Sequence, residues 1–149
     1  MITHNEQGRT MLEMLGVIAI MGVIVYGAIA GINYGMSSYK INQTYTEIQN
    51  IVQGVQDLYS WSRGYPSSDK MMIAACGNDI FSMGCTTDNK GQSQFGAIEV
   101  SQKNSGANFQ VSIVVPNPSD RDRLDGMDWS AINVKTVQTE GNKMVFEPL

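Results

Sequence analysis

The sequence predicts an α+β protein built on one long N-terminal helix, and three observations carry that prediction. From Met14 to Tyr39 there is no Asp, Glu, Lys or Arg; from Ile41 to Tyr59 apolar residues recur at steps of three and four; beyond Pro66 they fall in short alternating runs broken by Gly, Asn and Ser. These patterns belong, in turn, to a membrane-length helix, an amphipathic helix and antiparallel strands. With 149 residues and a net charge of -4, the chain has room for one small head beside the helix. Its ten Lys and Arg are scattered singly or in pairs, which gives no basic stripe, so no specific nucleic-acid partner is predicted.

The first element starts with the uncharged run, which is longer than the ~20 residues a helix needs to cross a bilayer. A secretory signal peptide fits it badly. The leader MITHNEQG carries no Lys or Arg, and no A-x-A-like exit appears before the chain turns polar at Asn42. An ordinary membrane anchor accounts for the run but not for Glu13 at its edge, since a carboxylate costs up to ~2.5–3.5 kcal/mol if drawn to mid-bilayer. Glu13 therefore requires a partner.

Gly8, the glutamate at the fifth position beyond it and the apolar run MLGVIAIMGVIVYGAIAGI together resemble the type IV pilin family and its relatives, the type II secretion pseudopilins. The resemblance implies a pilin fold with a prepilin leader over 1–8, an N-terminal helix over 9–62 with about 14–36 in the membrane and later in a fibre core, and a globular head over 63–149. It implies cleavage between Gly8 and Arg9 by a membrane prepilin peptidase, usually with N-methylation, although Arg9 stands where the family most often has an apolar residue. The function implied is that of a structural subunit of a type IV pilus, an extracellular homo-oligomeric filament for adhesion, motility or uptake. Such a subunit sits in the bacterial inner membrane before assembly by a platform and a separate ATPase motor. Pseudopilins and minor pilins share this logic. A single-pass membrane-anchored periplasmic binding protein is the alternative from another class.

Within that resemblance Glu13 would meet the amine that cleavage exposes on a neighbouring subunit, and so set the register of assembly. An opposite charge in low dielectric offsets much of the burial cost. The alternative is that Glu13 reaches the headgroups and pairs with Arg9 at i,i+4. Gly27, Gly31 and Gly35 fall four apart on one helical face, as small residues do where membrane helices approach closely. They equally suit a meltable segment or the ordinary glycine content of membrane helices.

The helix is expected to continue as an amphipathic spine. Ile41, Tyr45, Ile48, Val52, Val55 and Tyr59 form its apolar stripe, with Gln43, Thr46, Glu47, Gln49, Asn50, Gln53 and Gln56 on the other face. From Arg9 to Ser62 it would run roughly 80 Å, with Gly64, Tyr65 and Pro66 ending it.

Residues 67–94 read as a polar connecting loop containing Cys76 and Cys85. The pair suits a short disulfide loop in an oxidising compartment, with two buried or free thiols as the other possibility. GAIEVSQ and FQVSIVV, separated by KNSGAN, predict a hairpin. Ser119 is expected to cap a short helix reaching about Met127, and INVKTVQ and KMVFE across TEGN predict a second hairpin, giving about four antiparallel strands in all. The head is similar to type IVb-like pilins in the order Phe95-Gly96, Phe109, Leu124 and Asp128-Trp129. Arg121 occupies the place of a cysteine that closes a C-terminal disulfide loop in those relatives.

Catalytic chemistry is not expected. His4 is the only histidine, which excludes Ser-His-Asp, Cys-His and zinc-histidine sites from a chain starting at Arg9. Asp120, Asp122, Asp125 and Asp128 are interrupted by Arg121 and Arg123 and lack EF-hand spacing, so they read as a solvated helix-turn before they read as a calcium site. No cofactor or metal is called for.

Overall fold

The computed structural model describes residues 6–149, with side chains over 11–136 and 141–149. It has an α+β architecture. The first helix, α1 (Glu6–Tyr59), is followed by α2 (Ser68–Gly77), β1 (Gly91–Gln92), β2 (Ala97–Lys103), β3 (Asn108–Val114), α3 (Pro118–Asp125), β4 (Val134–Glu140) and β5 (Lys143–Pro148). Two compact units divide the chain, residues up to Ser38 and Tyr39–Leu149. The second unit includes the helix from Tyr39 onward.

α1 starts at Glu6 and ends at Tyr59, where the sequence predicted Arg9 to Ser62. Gly8 does not delay the start, because a single glycine costs a helix only ~1 kcal/mol relative to alanine. At the other end, Ser60 donates its hydroxyl to the Asp57 carbonyl at 3.0 Å and the Ser62 N–H reaches the Tyr59 carbonyl at 2.9 Å. The last helical carbonyls are thus capped before Gly64 is reached.

The five strands form one antiparallel sheet in the order β1-β2-β3-β5-β4. β2 and β3 are the expected first hairpin, in register from Ile98↔Ile113 to Lys103↔Asn108. Their turn takes positive φ at Asn104, Ser105 and Gly106. β4 and β5 are the second hairpin, closed by the two-residue turn Gly141-Asn142, with a bulge between Thr136 and Gln138. The fifth strand, β1, is two residues long and pairs with β2 at the sheet edge. It exists because the chain before it is fastened, not because its own residues favour strand.

Two further corrections fall on the connecting segments. Residues 67–94 hold a helix, α2, in addition to loop. α3 begins at Pro118 with Asn117 as its cap: the Asn117 carboxamide oxygen accepts from the Ser119 N–H at 3.1 Å, so Ser119 is the capped residue and not the cap. Proline at the first helical position, whose missing N–H needs no partner, fixes that frame.

The core lies between α1 and the sheet. Ile48, Ile51 and Val55 from α1 join Ile98 and Val100 of β2, Phe109, Val111 and Ile113 of β3, and Met144 and Phe146 of β5 in one buried cluster. Alternation on the strands puts one face inward. Met71, Met72 and Ala75 of α2 and Leu124 of α3 complete the cluster.

Candidate functional site

The first unit is an apolar helix whose side chains face outward. Large apolar residues from Met11 to Tyr39 are exposed, Tyr26 at 78% and Val23 at 74%, and of the membrane-length stretch none is buried by the rest of the chain. Charge, length and exposure together define a helix able to cross a membrane. Glu13 stands on this helix among exposed apolar neighbours. Gly8 and Arg9 lie within α1, but their side chains, like residues 1–5 with His4, are outside the described residues. At Gly27, Gly31 and Gly35 a Cβ would meet open space, so no neighbour within the described chain requires these glycines.

In the second unit the apolar stripe of α1 faces the core as expected, with Ile41, Ile48, Val52 and Val55 buried and Tyr45 and Tyr59 half-buried. The Asp128-Trp129 step fastens this stripe. The Tyr45 hydroxyl donates to the Asp128 carbonyl at 3.0 Å, and the Trp129 ring lies 5.0 Å from Tyr45 and 4.5 Å from Phe146, while its indole N–H donates to the Leu124 carbonyl at 2.8 Å. The aromatic residues are thus packed with their polar atoms satisfied.

Glu47 departs from expectation. Placed by sequence on the solvent face, it is 2% exposed. Its Oε1 accepts from the Ser82 hydroxyl at 2.9 Å, and its Oε2 has no hydrogen-bond partner, as is also true of the buried Thr44 hydroxyl one turn earlier. Burial raises the carboxyl above its ordinary range, and the Ser82 hydrogen bond opposes this only in part. The side of α1 that carries Glu47 is covered by the segment Ile80–Ser82; a Cβ at Gly54 would come within 3.1 Å of the Ile80 side chain.

That segment is held down by the cysteines. Cys76 and Cys85 form a disulfide with Cα atoms 5.8 Å apart, joining the last turn of α2 to the residue that bridges Gly91. The bonded form, one of the two possibilities left by the sequence, is the observed one. Phe81 is buried inside this loop, and a Cβ at Gly91 would stand 2.4 Å from its ring, which is why the strand edge needs glycine there. The signal for α2 was present in Ser67 followed by KMMIAACG, good helix formers ended by glycine.

Between α2, the 86–90 turn and β2 lies a cleft of about 370 Å³ lined by Asp69, Met72, Ile73, Asp88, Glu99 and Val100 among others. Glu99 is paired with Lys90 at 3.2 Å and Lys143 at 3.7 Å. Buried Glu147 of β5 is held by Lys103 and by Lys135 at 3.7 Å. Near α3, the Asp128 carboxyl accepts from the Ser130 hydroxyl at 2.5 Å, which lowers its pKa. Asp120 faces the Asn117 carboxamide at 3.2 Å. Among the described residues no group of three or more His, Cys, Asp and Glu side chains converges as a metal site would.

Fold and site define a head of α+β type, disulfide-stapled, carried on a helix long and apolar enough to span a membrane. Comparison with protein-family models, curated proteins and solved structures finds no match to the chain.

Proposed function

We propose that the chain is a structural subunit of a type IV pilus, a prepilin cut after Gly8 that polymerises through the first part of α1. The observation that carries this reading is the combination on one helix of an outward-facing apolar stretch, a carboxylate at its border and a spine packed against an α+β head. An apolar surface of that extent has to be covered by lipid or by other helices. Lipid covers it before assembly and neighbouring subunits cover it afterwards. Glu13, drawn from the headgroup level into the fibre, would be neutralised by the amine of the next subunit. The role is mechanical and not catalytic. Disulfide formation suits a head on the oxidising side of the membrane.

Intact-mass spectrometry of the protein recovered from cells that also express a prepilin peptidase tests this. A chain beginning at Arg9, two hydrogens lighter for the disulfide and one methyl heavier if N-methylated, is the expected result. A chain retaining MITHNEQG after exposure to an active peptidase overturns it and leaves a membrane-anchored head. A processed chain whose filaments stay short and periplasmic would instead mark a pseudopilin.

A further inference from the structure

Trp61, in the turn after α1, is 99% exposed, whereas Trp129 is buried at 4%. Among the described residues no ring or hydrogen-bond partner meets its indole. Arg63, two positions on, is also exposed and pairs with no carboxylate among the described residues. Exposed apolar residues are ordinary when scattered, but tryptophan and arginine are among the residue types that most often anchor an interface.

The head also carries a complement to this pair. In the cleft between α2, the 86–90 turn and β2, Met72, Ile73 and Val100 supply an apolar floor, and Asp69, Asp88 and Glu99 outnumber the single Lys90 around it. Glu99 is already engaged by lysines, while Asp69 and Asp88 have no ion-pair partner among the described residues. The walls are pre-ordered. Thr86 N–H donates to the Lys90 carbonyl at 2.8 Å, Lys90 N–H donates to the Thr86 hydroxyl at 3.2 Å, and the disulfide ties Cys85 beside this turn to α2. At about 370 Å³ the cleft falls in the ~300–1,000 Å³ range of ligand-sized pockets.

We propose that this cleft receives the Trp61–Arg63 segment of a second copy of the chain, the indole resting on Ile73 and the guanidinium lying between Asp69 and Asp88. The chain's own segment is directed elsewhere: Tyr65 is pinned by its N–H to the Gly106 carbonyl at 2.8 Å, and Trp61 projects into solvent. The charges are complementary, and the exposed Ile73 side chain offers the indole an apolar surface. Because every copy bears both the projecting segment and the cleft at different places, the contact is heterologous and repeats from copy to copy. This inference concerns the heads and does not depend on removal of the leader.

The test uses the full, uncleaved chain in detergent, with a benzophenone amino acid replacing Trp61 and equal parts of 14N- and 15N-labelled protein. The expected products are mixed-isotope crosslinks from position 61 to residues 68–73 or 88–101. Reversing the exposed acids, Asp69→Arg with Asp88→Arg, lowers that yield about tenfold or more, and pairing this variant with Arg63→Asp in the photoreactive chain restores it. The same pattern in a Glu13→Ala background keeps the head contact distinct from helix-driven assembly. Crosslinks confined to one isotope, crosslinks to other surfaces, no crosslinks, or a yield indifferent to charge reversal would each overturn the proposal.

Discussion

Glu47 shows how one side chain can be misassigned by pattern and still be informative. Its position on the helical wheel is polar, but the wheel describes one neighbour at a time, and α1 is covered on two sides: by the sheet and by Ile80–Ser82. A carboxyl buried with one unpartnered oxygen favours its neutral form. The sign of the linkage follows. The folded-state pKa lies above the unfolded value of ~4.3, so the contribution of Glu47 is fully favourable below that value and is lost as pH rises through the folded-state pKa. Glu47→Gln, which keeps the shape and supplies an amide donor for the orphan oxygen's place, should therefore raise the melting temperature at pH 7 and leave it nearly unchanged near pH 4. Thermal unfolding of the full chain in detergent, followed by near-ultraviolet circular dichroism at both pH values, measures this. A lower melting temperature for the variant at pH 7 would mean that the ionised carboxylate stabilises the fold.

Among the elements, the stapled loop is the one whose stability has an outside constraint. Cys76 and Cys85 are separated by nine positions, and closing a loop of that size in the unfolded chain corresponds to about 2–3 kcal/mol. Cys76→Ser with Cys85→Ser should cost that amount in urea unfolding of the full chain. The loss should be accompanied by faster amide exchange over Ile80–Ser82 and at the β1 edge, because both hang from the disulfide, while β3 and β5 in the sheet centre keep their protection. Exchange rising evenly across the sheet would show that the staple holds the whole head and not this loop. The same element explains what the residues disclosed and what they did not. The two hairpins were legible from alternation and turn residues, and the helix from its two periodicities, because each depends on neighbours close in sequence. The insertion of β5 between β3 and β4 was not, since β3 lies far back along the chain, and neither was β1, whose two residues are too few to show alternation. The Ser119 cap was misplaced by two residues because Asn117 and Ser119 are both good caps, and Pro118 between them decided the matter.

At the scale of the whole molecule, the division at Ser38 separates two jobs that the sequence had already separated by composition. Much of the head is satisfied within itself: Tyr45, Tyr59, Tyr65, Phe109, Trp129 and Phe146 pack against one another, and the two cysteines are paired. The large apolar side chains of the first unit, by contrast, are exposed. Gly27, Gly31 and Gly35, conspicuous in the sequence, face open space. Under the proposed function, lipid or other copies of the chain would cover this surface. On the proposed reading, deleting the Glu13 carboxylate removes the charge that registers an incoming subunit without touching the apolar run that inserts it or the head that folds. Glu13→Ala should accordingly insert and be processed as the wild type is, while the yield of sheared filaments falls at least about tenfold, the equivalent of ~1.4 kcal/mol for each ion pair formed in low dielectric. Membrane fractionation, intact mass and filament yield read the three steps separately. Normal filament yield would remove the register role from Glu13, whereas loss of insertion or cleavage would place its function before assembly.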